Sequence, residues 1–125
     1  MTLEEMTDAI KKLQYQISVV GQTIDWRSHP VESLIIANDW SAADLDKAHD
    51  IFEKWDTIIQ DGGEIEHNAF EADFQKAFRI NYQGLKPIVL AFYANGQWTS
   101  VCEAYVDSFG PRASVEYHSI MRRER

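Results

Sequence analysis

Two acid-x-x-His pairs have the spacing that best suits metal chemistry in this sequence, namely Asp46 with His49 and Glu64 with His67. Helical bundles that hold two metal ions use paired motifs of this spacing, completed by carboxylates that project inward from two further helices. On a helix, Asp46 falls opposite the apolar residues of its own segment, so its carboxylate should face water. The apolar segment 88–94 offers no carboxylate to complete the site. The sequence therefore predicts no metal site.

Nucleophilic catalysis would need a thiol or hydroxyl held within hydrogen-bond reach of a base. Cys102, the single cysteine, follows Val101 in a segment whose pattern predicts a buried helix, where a thiol usually acts as a small hydrophobe. No glycine-rich phosphate loop of either common form is present. We therefore predict a protein that is not an enzyme, with no catalytic residue and no cofactor. A small helical enzyme with a metal or thiol site is an alternative.

The acidic residues are concentrated in the middle of the chain. The formal net charge is -8, and residues 39–73 contain eleven acidic side chains against two lysines. This excess argues against direct binding of nucleic acid, because phosphate contacts need clustered Lys and Arg. The dense basic cluster is 122–125, which could attract the acidic segment of another subunit or be solvated. The predicted surface for a protein partner is an acidic flank of Asp44, Asp46, Asp50, Glu53 and Asp56.

These side chains must be positioned by helices, and the clearest helical pattern is at the N-terminus. Apolar residues recur there at alternating spacings of three and four, which is a heptad seam over about three repeats. Thr2 with Glu5 predicts a capping box, and Gly21 marks where the helix bends or ends. A narrow seam packs against another helix, either in a second copy or within its own chain. The predicted oligomer interface is Leu3, Met6, Ile10, Leu13, Ile17 and Val20.

Further helices are predicted by caps and apolar stripes in the first half of the chain. Ser28 is the expected cap of a short helix that begins at Pro30. Ser41 with Asp44 forms a second capping box, and that helix should end at the two glycines 62–63.

In the second half, Asn68 is the expected cap of a helix with Phe70 and Phe74 on one face. Residues 81–86 are predicted as a loop, after which Pro87 opens a helix that is apolar nearly all round. Ser100 with Glu103 predicts a further capping box. The remaining tail fits either a short final helix or an extended segment. The result is an all-α domain of six or seven short helices.

Length and composition predict one domain. A chain of 125 residues with 45% apolar content can bury a single core. We divide it into an oligomerisation helix at 1–24, a helical core at 28–109 and a tail or short final helix at 110–125. The chain lacks the run of roughly 20 apolar residues that a membrane span needs, and one cysteine cannot form an internal disulfide framework. A cytoplasmic location and no membrane contact are expected.

The order of turns and apolar positions resembles the YhaI-like family of small helical bacterial proteins. The resemblance covers about residues 7 to 109 and is carried by the segments 13–25, 34–36, 41–44 and 91–98, with Tyr105, Val106 and Phe109. It implies an all-helical, oligomeric protein and brings no catalytic residues. The tail from Gly110 extends past the family pattern.

Together these observations predict a non-enzymatic, oligomeric interaction or regulatory protein, in a process that the sequence does not identify. Its expected partners are copies of itself and, through the acidic flank, another protein. The alternative within binding proteins is an acidic inhibitor or antirepressor, of the kind that mobile elements encode. Such a protein would occupy the basic site of a nucleic-acid-binding protein.

Overall fold

The computed structural model describes residues 1–121, and over this range the chain is all-α, as predicted. Residues 122–125, which include the basic cluster, and the side chain of Met121 lie outside the described part. The helices are α1 (Leu3–Thr23), α2 (Pro30–Ala37), α3 (Ala42–Gln60), α4 (His67–Phe78), α5 (Tyr82–Ala94), α6 (Thr99–Asp107) and α7 (His118–Met121). Two short 3-10 turns, Gly110–Arg112 and Val115–Tyr117, precede α7.

The core lies where α3, α4, α5 and α6 meet, and aromatic rings fill it. Phe52 of α3 has no exposed surface, and its ring centroid is 5.3 Å from Phe74 and 5.0 Å from Phe92. The Trp98 ring lies parallel to that of Phe52, with ring centroids 6.1 Å apart. Tilted and edge-on pairs at such distances add to the stabilisation that burial of the rings already provides. These contacts join three helices and a turn into one body.

The C-terminal segment belongs to this body. Tyr117 is fully buried with its ring 5.8 Å from that of Tyr105, and Ile120 is also buried. Of the two predicted conformations for the tail, the short helix is therefore correct for residues 118–121. Gly110, the first residue of the 3-10 turn that follows α6, has a φ of 60°, where a residue with a Cβ would be strained. This turn brings Tyr117 back against α6.

The two capping boxes nearest the N-terminus are confirmed. The Thr2 hydroxyl accepts the Glu5 N–H, and the Glu5 carboxylate accepts the Thr2 N–H at 2.7 Å. Ser41 and Asp44 repeat this arrangement at the start of α3. In both boxes the backbone hydrogen bond to the carboxylate lowers the pKa of the acid.

Three other predicted caps are wrong. Ser28 donates to Asp25 and does not cap α2, whose N-cap residue is His29. The start of α4 is capped by Glu66, whose carboxylate accepts two backbone N–H groups, so Asn68 lies inside the helix. Ser100 also lies inside its helix, because α6 follows Trp98 without a side-chain cap. Each segment holds several residues able to cap, and packing decides between them.

Helix α5 begins earlier than predicted. Asn81 caps it by accepting the Gly84 N–H at 3.0 Å, so residues 82–86 are helical and Pro87 lies inside the helix. Proline within a helix costs about 3 kcal/mol, because one N–H is lost and the ring clashes with the preceding turn. Full burial of Leu85 in this first turn stabilises the fold and offsets part of that destabilisation. The prediction of a loop at 81–86 was wrong, because Asn81 caps the helix one turn before Pro87.

Candidate interaction surfaces

The seam of α1 is exposed along its whole length. None of the residues of α1 is buried, whereas the core residues of α3 to α6 are almost completely buried. The exposed fractions of the seam residues are Leu3 76%, Met6 42%, Ile10 56%, Leu13 56%, Ile17 55% and Val20 57%. Soluble monomers seldom leave a continuous apolar stripe of this kind uncovered. The predicted interface is therefore an accessible surface of the folded chain.

The residues beside the seam carry no charge. With Leu3 in the first heptad position, Thr7, Ala9, Gln14 and Gln16 occupy the flanking positions. The charged residues of the helix lie outside these flanks. Three acidic residues come first and two lysines follow, namely Glu4, Glu5, Asp8, Lys11 and Lys12. Tyr15 lies on the opposite face and is 70% exposed. The seam consequently has no charge pattern of its own to reject or select a partner.

Helix α1 is joined to the body at its C-terminal end. A Cβ at Gly21 would lie 3.0 Å from Cγ2 of Ile36, so glycine allows α1 and α2 to approach closely at this point. Gly21 does not end the helix, which continues to Thr23. The remaining part of the helix extends beyond this contact.

The acidic flank is the second exposed surface. Asp46, Asp50 and Glu53 lie on the solvent side of α3, opposite its buried residues, as predicted. The two lysines of α3 form ion pairs with other carboxylates. Lys47 Nζ lies 3.6 Å from Asp44 Oδ1, and Lys54 Nζ lies 2.8 Å from Asp73 Oδ2.

The other two members of the flank differ from these three. Asp44 is part of the capping box of α3 as well as the partner of Lys47, and Asp56 is half-buried. The exposed and unpaired carboxylates of the predicted surface are therefore Asp46, Asp50 and Glu53 among the described residues.

The histidines of the two acid-x-x-His pairs have packing contacts. His49 accepts a hydrogen bond from the Trp98 indole at 3.0 Å and lies edge-on to Phe92. His67 stacks on Phe109 with ring centroids 4.3 Å apart, and it is the first residue of α4. Within residues 1–121, no group of three or more His, Cys, Asp or Glu side chains is arranged to hold a metal ion.

The Cys102 thiol is buried, as predicted. Its sulfur lies 3.7 Å from the Val89 carbonyl oxygen as a weak hydrogen-bond donor, and burial raises the pKa of the thiol well above its ordinary range. A thiol in this state is a poor nucleophile because the thiolate is scarce.

A partly buried polar pair joins α4 to α6 and was not predicted from the sequence. The Tyr105 hydroxyl donates to the Glu71 carboxylate at 2.6 Å, and burial, more than any other cause, raises the pKa of Tyr105. Glu71 lies in α4 and Tyr105 lies in α6. A contact across 34 residues leaves no local signal in the sequence.

An apolar groove of about 350 Å³ lies between α2 and α5. Trp26 borders it together with Leu34 and Leu90, and this indole is 61% exposed. Trp40 stacks on Phe78 with ring centroids 4.9 Å apart and covers the edge of the core. Of the two, only Trp26 is largely accessible to another molecule.

Comparison with known proteins provides no further assignment. No protein-family model, no curated protein and no solved structure matches the chain. The resemblance to the YhaI-like family therefore stays a prediction. None of the helices within residues 1–121 combines the length and the apolar character needed to cross a lipid bilayer.

Proposed function

We propose that this protein is a non-enzymatic interaction protein that associates with copies of itself through the seam of α1. One observation supports the proposal above others: six regularly spaced apolar side chains remain 42–76% exposed on a helix that has no buried residue. Exposed apolar area of this kind is removed from water when helices pair. Because these six side chains all lie on α1, we assign self-association to this helix.

A second copy of the chain is the favoured occupant of the seam. Two identical seams present apolar residues at matching intervals, and their uncharged flanks introduce no repulsion between copies. A helix of another protein would need apolar residues at the same intervals, and the uncharged flanks of the seam could not select it by charge.

The test is the solution mass as a function of protein concentration, measured by light scattering. Self-association predicts a mass above that of one chain, decreasing on dilution. A mass equal to one chain at every accessible concentration would contradict the proposal.

The acidic flank supports a second candidate function, binding of a basic protein in the manner of an inhibitor or antirepressor. Asp46, Asp50 and Glu53 are exposed without an ion-pair partner among the described residues, so they are available to a cationic surface. If such a complex is found, Asp50→Asn with Glu53→Gln should weaken it and added salt should raise its Kd. A complex insensitive to both changes would exclude this role for the flank.

We also propose membership of the YhaI-like family and a cytoplasmic location. The order of turns and apolar positions supports the first, and a single cysteine that is buried and free supports the second. Neither affects the proposal about α1.

A further inference from the structure

We infer that two copies of α1 pair antiparallel, so that the N-terminus of each helix lies beside α2 of the other copy. This inference rests on the proposed self-association and adds the direction and register of the pair. It follows from the position of α2, from the charge of the body and from the order of the seam residues.

The position of α2 disfavours a parallel pair. Gly21 is 18 residues after Leu3, which is about five helical turns, so the two residues point in the same direction from the helix axis. Ile36 of α2 closely approaches the helix at Gly21. Helix α2 thus borders the seam at its C-terminal end. In a parallel pair, the C-terminal end of the partner's α1 would have to fit beside α2. In an antiparallel pair, only the first few residues of the partner chain lie beside α2.

Electrostatics favours the same direction. Residues 25–121 carry seven basic and 16 acidic side chains, and a parallel pair would place two such bodies together at one end. An antiparallel pair separates the two bodies by roughly the length of the helix, about 30 Å. This separation exceeds the Debye length of about 8 Å at physiological ionic strength, so the repulsion is screened.

One antiparallel register uses all six seam residues. It pairs each first heptad position with a fourth heptad position of the partner, as antiparallel coiled-coil layers require. The resulting layers are Leu3 with Val20, Met6 with Ile17 and Ile10 with Leu13, each occurring twice in the pair. Met1, which is 88% exposed, would then lie near Ile36 of the second copy, itself partly exposed.

The test is chemical crosslinking of cysteine variants with a bis-maleimide much shorter than the helix. Leu3→Cys and Val20→Cys change exposed residues, so the fold should tolerate both. We expect a covalent dimer when the two variants are mixed and allowed to exchange, and none when either is treated alone, because residues 3 and 3 of the two copies lie about 25 Å apart in this register. The native chain, with only the buried Cys102, and Tyr15→Cys, on the opposite face, are the controls.

Light scattering on the same samples separates this inference from the proposed function. A multimeric mass with crosslinks within each single variant would mean a parallel arrangement and would overturn the antiparallel pair. A multimeric mass without any crosslink would overturn this register. A mass of one chain would show that the proposed self-association itself fails.

Discussion

Two glutamates in the middle of the seam should abolish self-association without unfolding the chain. We consider Leu13→Glu with Ile17→Glu, which replaces side chains that are 56% and 55% exposed in the single chain. Full burial of a Leu or Ile contributes roughly 1.5–3 kcal/mol. Burying the exposed half of each side chain when helices pair therefore contributes about 1 kcal/mol to the free energy of association.

A pair contains both substitutions twice, so four side chains lose this contribution, or about 4–5 kcal/mol in total. Each 1.4 kcal/mol is a tenfold change in affinity, which raises the Kd by about a thousandfold. Desolvation and mutual repulsion of the four carboxylates increase the effect further. The free energy of unfolding of one chain should change by no more than about 0.5 kcal/mol, because the substitutions are on the surface.

The assay combines solution mass by light scattering with urea unfolding followed by circular dichroism. The matched control is Tyr15→Glu with Gln22→Glu, which adds the same two charges on the face away from the seam. We expect the native chain and the control to associate and the seam variant to be a folded monomer. A seam variant that keeps the native mass would refute the reasoning, as would a control that dissociates equally.

Two further predictions concern a buried thiol and a capping box at the surface. The Cys102 thiol should react with a thiol reagent only after denaturation, because it is buried and its pKa is raised, whereas the thiol of Tyr15→Cys should react at once. The capping box of α3 should lose its contribution to stability in acid: its carboxylate has a pKa lowered from 3.8, so the contribution is complete above that pH and disappears as the pH falls through the lower, folded-state value. Asp44→Asn should remove this part of the pH dependence of urea unfolding, and an unchanged profile would contradict it.

Local patterns in the sequence predicted those elements that depend on neighbouring residues. The helix at the N-terminus and the two capping boxes at Thr2 and Ser41 were predicted correctly, because a helix start is decided by hydrogen bonds that span three residues. The burial of Cys102 and the solvent exposure of Asp46 also followed from helical periodicity.

The incorrect predictions concern positions where contacts distant in sequence select between local options. Pro87 is compatible with a helix start, but Leu85 is buried only if the helix begins before it. Similarly, Glu66 and Asn68 can both cap a helix, and the tertiary structure favours the earlier one.

The sequence by itself determined that the chain is all-α, where most helices lie and that α1 carries a regular apolar seam, since these properties depend on intervals of three or four residues. Tertiary structure decided which surfaces stay open. It placed His49 against Trp98 and Tyr105 against Glu71, contacts that join residues 49 and 34 positions apart. It also left the seam of α1 exposed, although α2 closely approaches the same helix at Gly21. Whether a patterned face is core or interface depends on what the rest of the chain packs against it, and no local interval contains that information.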